Sequence, residues 1–451
     1  MAIATALEEV RYMTTPTITG ALNGDVKRTN DATVLRKVAW RIVPLVLLMF
    51  LFSIVDRANV SFAALSMNRD LHIDPAAFGV AAGLFFVGYF LFEVPANVIF
   101  LRRLGARVWL SRILISWGLI SAGTAFATTA TQYYVLRFLL GVAEAGFVPC
   151  IIIYLAAWFP NSVRGRITGA LFIAVPLANV ITGPLSSYML GVNALGLHGW
   201  QLMVIVEGLP TVALGVATLI WLSDDPSSAR WLSEDERADL AEILSRNAPE
   251  AHHFALRDGF FSSTVWWLAA ILFFSTVGIW GFVFWAPQLL KALAGVPNES
   301  VGLFMLIPNT AAIVVLVLYS RHSDLRKERR WHTAVAVLTA ALGFILSFQS
   351  ANPTFIVLAF CLIAAGIYSA APIFWSIPST ILAGSAATSG IAVANSIGQL
   401  GGYVGPFLIG KLRESTDDFS ASLTAVALSL CIAAILILLM PQLRQMPEKS
   451  T

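Results

Sequence analysis

Six ionisable side chains lie inside otherwise apolar stretches of this sequence: Asp56 and Arg57, Glu93, Arg137 and Glu144, and Glu207. A charge held in hydrocarbon costs at least ~2.5 kcal/mol by the lower estimates, so each one retained there marks a candidate site. Arg137 and Glu144 are seven residues apart. On a helix that is two turns, so they project from one face about 10 Å apart along the axis. Asp56 and Arg57 are consecutive, and their side chains diverge by about 100°, so one can face a cavity while the other pairs with a neighbouring helix.

Arginine offers a permanently charged planar fork that matches a carboxylate with two hydrogen bonds, which makes Arg57 and Arg137 candidate ligands for an organic anion. The proton affinity of a carboxyl group beside an arginine depends on whether that arginine is already engaged by an anion. Asp56 and Glu144 are therefore candidate proton carriers, coupled reciprocally to anion binding. A buried ion-pair lattice that only fixes helix packing would use the same residue types. Glu93 and Glu207, with fewer charged companions, read as structural.

The elements that position these residues must be membrane helices. The 451 residues are 57% hydrophobic and 12% charged, with a mean hydropathy of +0.77, which is too apolar for a soluble chain of this length. Apolar runs of about 20 residues, enough to cross a bilayer, recur along almost the whole sequence and lack the alternation of a barrel. They place six helices near 40–63, 77–101, 108–128, 132–158, 166–190 and 200–222, and six more near 264–290, 300–319, 332–350, 354–376, 388–412 and 419–440. The expected fold is an all-α membrane protein. Its parts are a cytoplasmic tail over 1–37, a six-helix bundle over 38–222, a cytoplasmic linker over 223–263, a second bundle over 264–441 and a tail over 442–451.

Pro149 and the Gly183-Pro184 pair have counterparts in Pro372 and Gly405-Pro406 at offsets of 223 and 222 residues. A constant offset with equal topology suggests two parallel repeats with a site between them near the midplane. Lys and Arg concentrate in the loops around residues 27–37, 102–107, 164–166 and 321–330. The positive-inside rule then puts both termini in the cytoplasm of a bacterial inner membrane. Cys150, Cys361 and Cys431 lie in apolar stretches without partners at metal-ligand spacing and read as packing residues. A net charge of +3 gives no support to nucleic-acid binding.

The stretches Val55-Asp56-Arg57-Ala58-Asn59, Gly88-Tyr89 through Glu93-Val94-Pro95-Ala96-Asn97, Arg137 through Glu144 to Gly146, and Asn395-Ser396-Ile397-Gly398 resemble the anion:cation symporter family of the major facilitator superfamily. The resemblance spans about residues 36 to 440. It implies twelve transmembrane helices, alternating access and proton-coupled uptake of organic acids such as phthalate, tartrate or sugar acids. It further implies that Asp56, Arg57, Arg137 and Glu144 handle protons and substrate, and that Tyr89 and Asn395 line the substrate cavity. The superfamily's loop motif survives in part over Ser320 to Arg330, which assigns Asp324 and Arg326 to gating. Its first-half copy near Leu101 to Arg107 lacks the acid.

Trp280 and Trp375 stand among several aromatics of helices seven and ten. If they face the cavity, a flat aromatic dicarboxylate such as phthalate would stack there. The run Gly398, Gly401, Gly402 and Gly405 reads as close helix packing. No nucleophile with an adjacent base, metal cluster or phosphate loop occurs, so neither an enzyme nor a cofactor or metal is expected. The expected partners are a small organic carboxylate, protons and the lipid bilayer, with the chain acting as a monomer. An anion exchanger of the same fold, a hydroxy-acid or sugar-acid symporter and a membrane sensor are the alternatives.

Overall fold

The computed structural model describes residues 29–96, 102–246, 262–378 and 385–441. The chain forms α1 (Thr29–Asp70), α2 (Pro75–Pro95), α3 (Arg102–Gly123), α4 (Ala130–Glu144), α5 (Phe147–Trp158), α6 (Asn161–Leu190) and α7 (Gly199–Trp221). These are followed by α8 (Glu234–Arg246), α9 (Ser263–Ala294), α10 (Asn298–Arg326), α11 (Arg330–Ser347), α12 (Pro353–Ser376), α13 (Ser385–Gln399), α14 (Gly401–Thr416) and α15 (Ser420–Leu439). Eleven helical stretches are long and apolar enough to cross a membrane. The stacked pair α13 and α14, each too short alone, supplies the twelfth crossing.

The expected helices appear, and two of them are broken. Helix four splits at Ala145 and Gly146, where Gly146 takes the left-handed φ of 84°. Helix eleven is interrupted at Leu400, between α13 and α14. α1 also runs back to Thr29, into the stretch read as tail. The extension is amphipathic: Val34, Leu35 and Val38 are buried, and Asp31 and Lys37 pair with Arg246 and Glu236 of α8 at 3.3 and 2.7 Å. The linker thus carries a helix docked on α1. The end of the expected second helix near 97–101, residues 379–384 between the expected tenth and eleventh helices, the tails over 1–28 and 442–451, and linker residues 247–261 lie outside the described residues.

Two seams join the halves, α2 against α14 and α6 against α10, and α9 also lies on α1. Exchanging the second helix for the eighth and the eleventh for the fifth maps one seam onto the other, as a parallel duplication requires. Both seams are tight at the end of the bundle away from α8, termed here the far end. A Cβ at Gly302 would collide with the Gly183 carbonyl oxygen, so α6 and α10 approach backbone to backbone. Nearby, Ser187 Oγ accepts from the Gly302 N–H at 2.8 Å. The Trp285 indole of α9 donates to the Pro406 carbonyl at 3.1 Å. Gly401 and Gly405 set α14 directly on the α9 backbone, as their close-packing role requires.

Candidate functional site

The first four helices bring all four expected charged residues into the middle of the first half. Arg57 of α1 and Glu144 of α4 form a buried pair, with Nη2 2.5 Å from Oε1 and Nε 3.4 Å from Oε2. Glu144 is the last residue of α4, so its carboxylate sits at the negative end of that helix and needs a compensating cation. Arg57 supplies one. The seven-residue spacing places Glu144 on one stripe with Arg137, about two turns away, and its bonded partner is Arg57 of the neighbouring helix.

Asp56 turns the other way, as the 100° divergence requires. Its Oδ1 accepts from Ser121 Oγ of α3 and from Asn59 Nδ2 at 3.4 Å, while among the described residues Oδ2 has no hydrogen-bond partner. Asp56 is 1% exposed.

Arg137 is 1% exposed, and among the described residues none of its three guanidinium nitrogens has a hydrogen-bond partner. Aromatic faces partly compensate. The guanidinium carbon lies 5.4 Å from the Phe85 ring and 5.6 Å from Phe284. Arg57 lies over Phe85, Tyr89 and Trp280 at 5.1, 5.8 and 5.3 Å. Phe85 therefore stands against both cations, and Trp280 and Phe284 of α9 close over them from the second half. Each such contact is worth about 0.5–2 kcal/mol, less than a charged hydrogen bond to a carboxylate would give in the same place.

Tyr89 and Trp280 thus meet Arg57. Asn395 lies one step away: it donates to Glu93 Oε1 at 3.2 Å, and Ser396 donates to Oε2 at 2.9 Å. Glu93, read from sequence as structural, ties α2 to α13 across the halves, one turn from Tyr89. Trp375 packs edge-on against Phe374 and among the described residues makes no ring contact with either arginine. Asp324 pairs with Arg329 at 2.5 Å within its own loop, and Arg326 is exposed on the last turn of α10. Neither crosses between the halves in this conformation.

Sequence reasoning missed the contributions of Phe85, Ser121 and Ser396, whereas Phe284 stood among the aromatics noted in helix seven. Phe85 was open to discovery, since it stands one turn from Tyr89 on the same face. The acid absent from the first-half loop motif is provided from far along the chain. Asp224, just beyond α7, accepts from the Arg107 N–H at 2.8 Å and lies against Gly105, whose φ is 77°.

Between the halves and toward the far end lies a cavity of about 20 Å³, bordered by Ser61, Asn179, Pro287, Asn309 and Tyr368 among others. Asn179 donates to the Tyr368 hydroxyl at 3.0 Å across it. That is room for about one water.

The sequence model of the Major Facilitator Superfamily matches residues 45–406. A protein of Agrobacterium vitis that carries the name tartrate transporter is 42% identical over 423 residues, covering 93% of each chain. The Pseudomonas putida metabolite transport protein NicT is 40% identical over 412 residues, covering 90% of this chain and 94% of its own. Among solved structures, that of a D-xylose-proton symporter superposes with a TM-score of 0.73 at 16% identity, over 89% of this chain and 97% of the other.

Proposed function

Since the chain belongs to the major facilitator superfamily, we propose that this organic-acid transporter takes up a small hydroxydicarboxylate of the tartrate class together with protons, by alternating access. The observation that carries the reading is Arg137, a buried guanidinium without a hydrogen-bond partner beside the Arg57–Glu144 pair. A carboxylate entering there would satisfy the Arg137 fork and compete with Glu144 for Arg57. Released from its partner, Glu144 would bind a proton, so binding of the anion and of the proton would be coupled. Tyr89 and Trp280 would flank the anion, and Asn395 would sense it through Glu93.

The relatives named for tartrate support a hydroxy acid. So does the use of the aromatic rings. Trp280 covers Arg57 and Trp375 stands apart, which leaves fewer free faces for a flat substrate than the sequence suggested. Phthalate is the second reading, favoured by the remaining density of rings around the arginines.

The tight far end is the closed side of the bundle in this conformation. In the orientation given by the basic loops, with both termini cytoplasmic in a bacterial inner membrane, it would be the outer side, and the linker would lie on the cytoplasmic side. Asp324 and Arg326 would act in gating when that side closes.

The test is uptake into proteoliposomes, with and without an imposed proton gradient, for tartrate, a sugar acid and phthalate, repeated with a protonophore. Accumulation of tartrate that collapses with the protonophore is expected. Accumulation that is indifferent to the protonophore would overturn proton coupling, and phthalate as the sole accumulated acid would select the second reading.

A further inference from the structure

Glu207 of α7 is 3% exposed. Its Oε1 accepts from Ser186 Oγ of α6 at 2.8 Å, while among the described residues Oε2 has no hydrogen-bond partner. The Asn59 side chain lies beside this carboxyl group, and Asp56 is within electrostatic reach of it. The same Asn59 amide donates to Asp56, so one side chain borders two carboxyl groups, each with one oxygen left unbonded. Asp56 from α1 is the charged group that faces Glu207. α6 presents Ser186 there, and the arginines of α3 and α6 lie near the other end of those helices.

The two carboxyl groups sit at different depths. Glu207 is eight residues from the far-end start of α7, about 12 Å in. Asp56 is fourteen residues from the far-end terminus of α1, about 21 Å in. Glu207 therefore lies between Asp56 and the far-end water. Outward of it, Ser187 on a neighbouring face of α6 donates to the carbonyl of half-exposed Asn298 at 3.3 Å. At this same end the Gly183–Gly302 contact closes the seam to anything as large as an organic acid.

From this arrangement we infer that Glu207 is a proton relay, set between the far-end water and Asp56, along a path that admits protons while the substrate seam is shut. A proton bound on Glu207 reaches Asp56 past Asn59 by way of a bridging water. That leaves Glu207 ionised and Asp56 neutral, and the next proton from the far side restores Glu207. The inference rests on the proton-coupled reading above and adds a residue and a direction to it.

The experiment compares wild type with Glu207→Gln and Ser186→Ala in proteoliposomes carrying an internal pH dye, using tartrate as the substrate. Substrate-evoked proton flux is read beside substrate counterflow. In Glu207→Gln, which keeps the shape and the Ser186 contact, the ratio of proton flux to counterflow is expected to fall at least tenfold, with Glu207→Asp restoring part of it. Ser186→Ala, which removes the structural contact and keeps the carboxyl group, is expected to hold the wild-type ratio. An unchanged ratio in Glu207→Gln overturns the relay, as does a loss in Ser186→Ala equal to that in Glu207→Gln. Absence of substrate-evoked proton flux in wild type would instead overturn the proton-coupled reading itself. Should Glu207→Gln fail to fold, the decision passes to Asn59→Leu, for which an unchanged ratio also overturns the relay.

Discussion

Arg57 and Glu144 come from helices 87 residues apart and meet with Nη2 2.5 Å from Oε1, both side chains at least nine-tenths buried. Breaking a buried pair costs about 3–5 kcal/mol, because the surviving charge is left without a partner. Glu144→Ala should therefore lower the thermal unfolding temperature well below that of Glu144→Gln, which can still hydrogen-bond to Arg57. In uptake, Glu144→Gln should lose proton-driven accumulation. Full accumulation in that variant would remove Glu144 from coupling.

Arg137→Lys keeps the charge and loses the planar fork. One charge-assisted hydrogen bond is worth about 1.5–3 kcal/mol, so substrate affinity should fall at least tenfold. Titration calorimetry on purified protein reads this directly, and an unchanged affinity would move the anion site elsewhere.

Glu93→Ala leaves the Asn395 amide and the Ser396 hydroxyl without their shared acceptor, at a cost of about 1–3 kcal/mol for each buried group. Glu93→Gln keeps an acceptor for one of them. The expected order of unfolding temperatures is wild type, Glu93→Gln, then Glu93→Ala. Equal temperatures for all three would show that the α2–α13 bridge does not stabilise this conformation.

Gly302→Val places three carbons where the Gly183 carbonyl already stands. The far end should no longer close. The prediction is folded protein with net transport lost, and with a cysteine at Ser187 made reactive to a far-side thiol reagent. Protection of that cysteine, with transport retained, would contradict the seam.

The α8 dock supplies a pH-dependent signal outside the membrane. The hydrogen bond from Lys37 Nζ holds the Glu236 carboxyl below its ordinary value of 4.5. A lowered value means that the contact contributes fully above pH 4.5 and is lost as pH falls through the folded value. Hydrogen exchange across residues 234–246, corrected for intrinsic rates, should quicken on acidification to about pH 3. Lys37→Met should flatten that dependence. The pair is half-exposed, so the effect should be small, about 0–1 kcal/mol.

The membrane helices were legible because hydrocarbon imposes one rule on every residue of a span, and a window of 20 residues averages out local exceptions. The charged residues were legible for the same reason, as exceptions to that rule. Their partners were not. Spacing along α4 put Arg137 and Glu144 on one face, but did not say that the Glu144 carboxylate bonds across to Arg57. Pairing between helices depends on rotation about each helix axis, which packing sets and the sequence does not display. Glu93 and Asn395 were each noted in sequence, but their contact spans 302 residues. The break after Glu144 carried only a glycine as its sign, in a chain with 32 of them.

The start of the linker is fastened to the first half at several points. Asp224 holds the Gly105 turn, Trp231 stacks on Trp158 at 5.7 Å, Arg41 lies over Trp231 at 5.0 Å, and α8 is salt-bridged to α1. In the alternating-access reading proposed above, α8 is a handle bolted to one rocker arm. A fluorophore or antibody fragment fixed there would then report the tilt of the entire first half during transport, from a site remote from the cargo and without touching it.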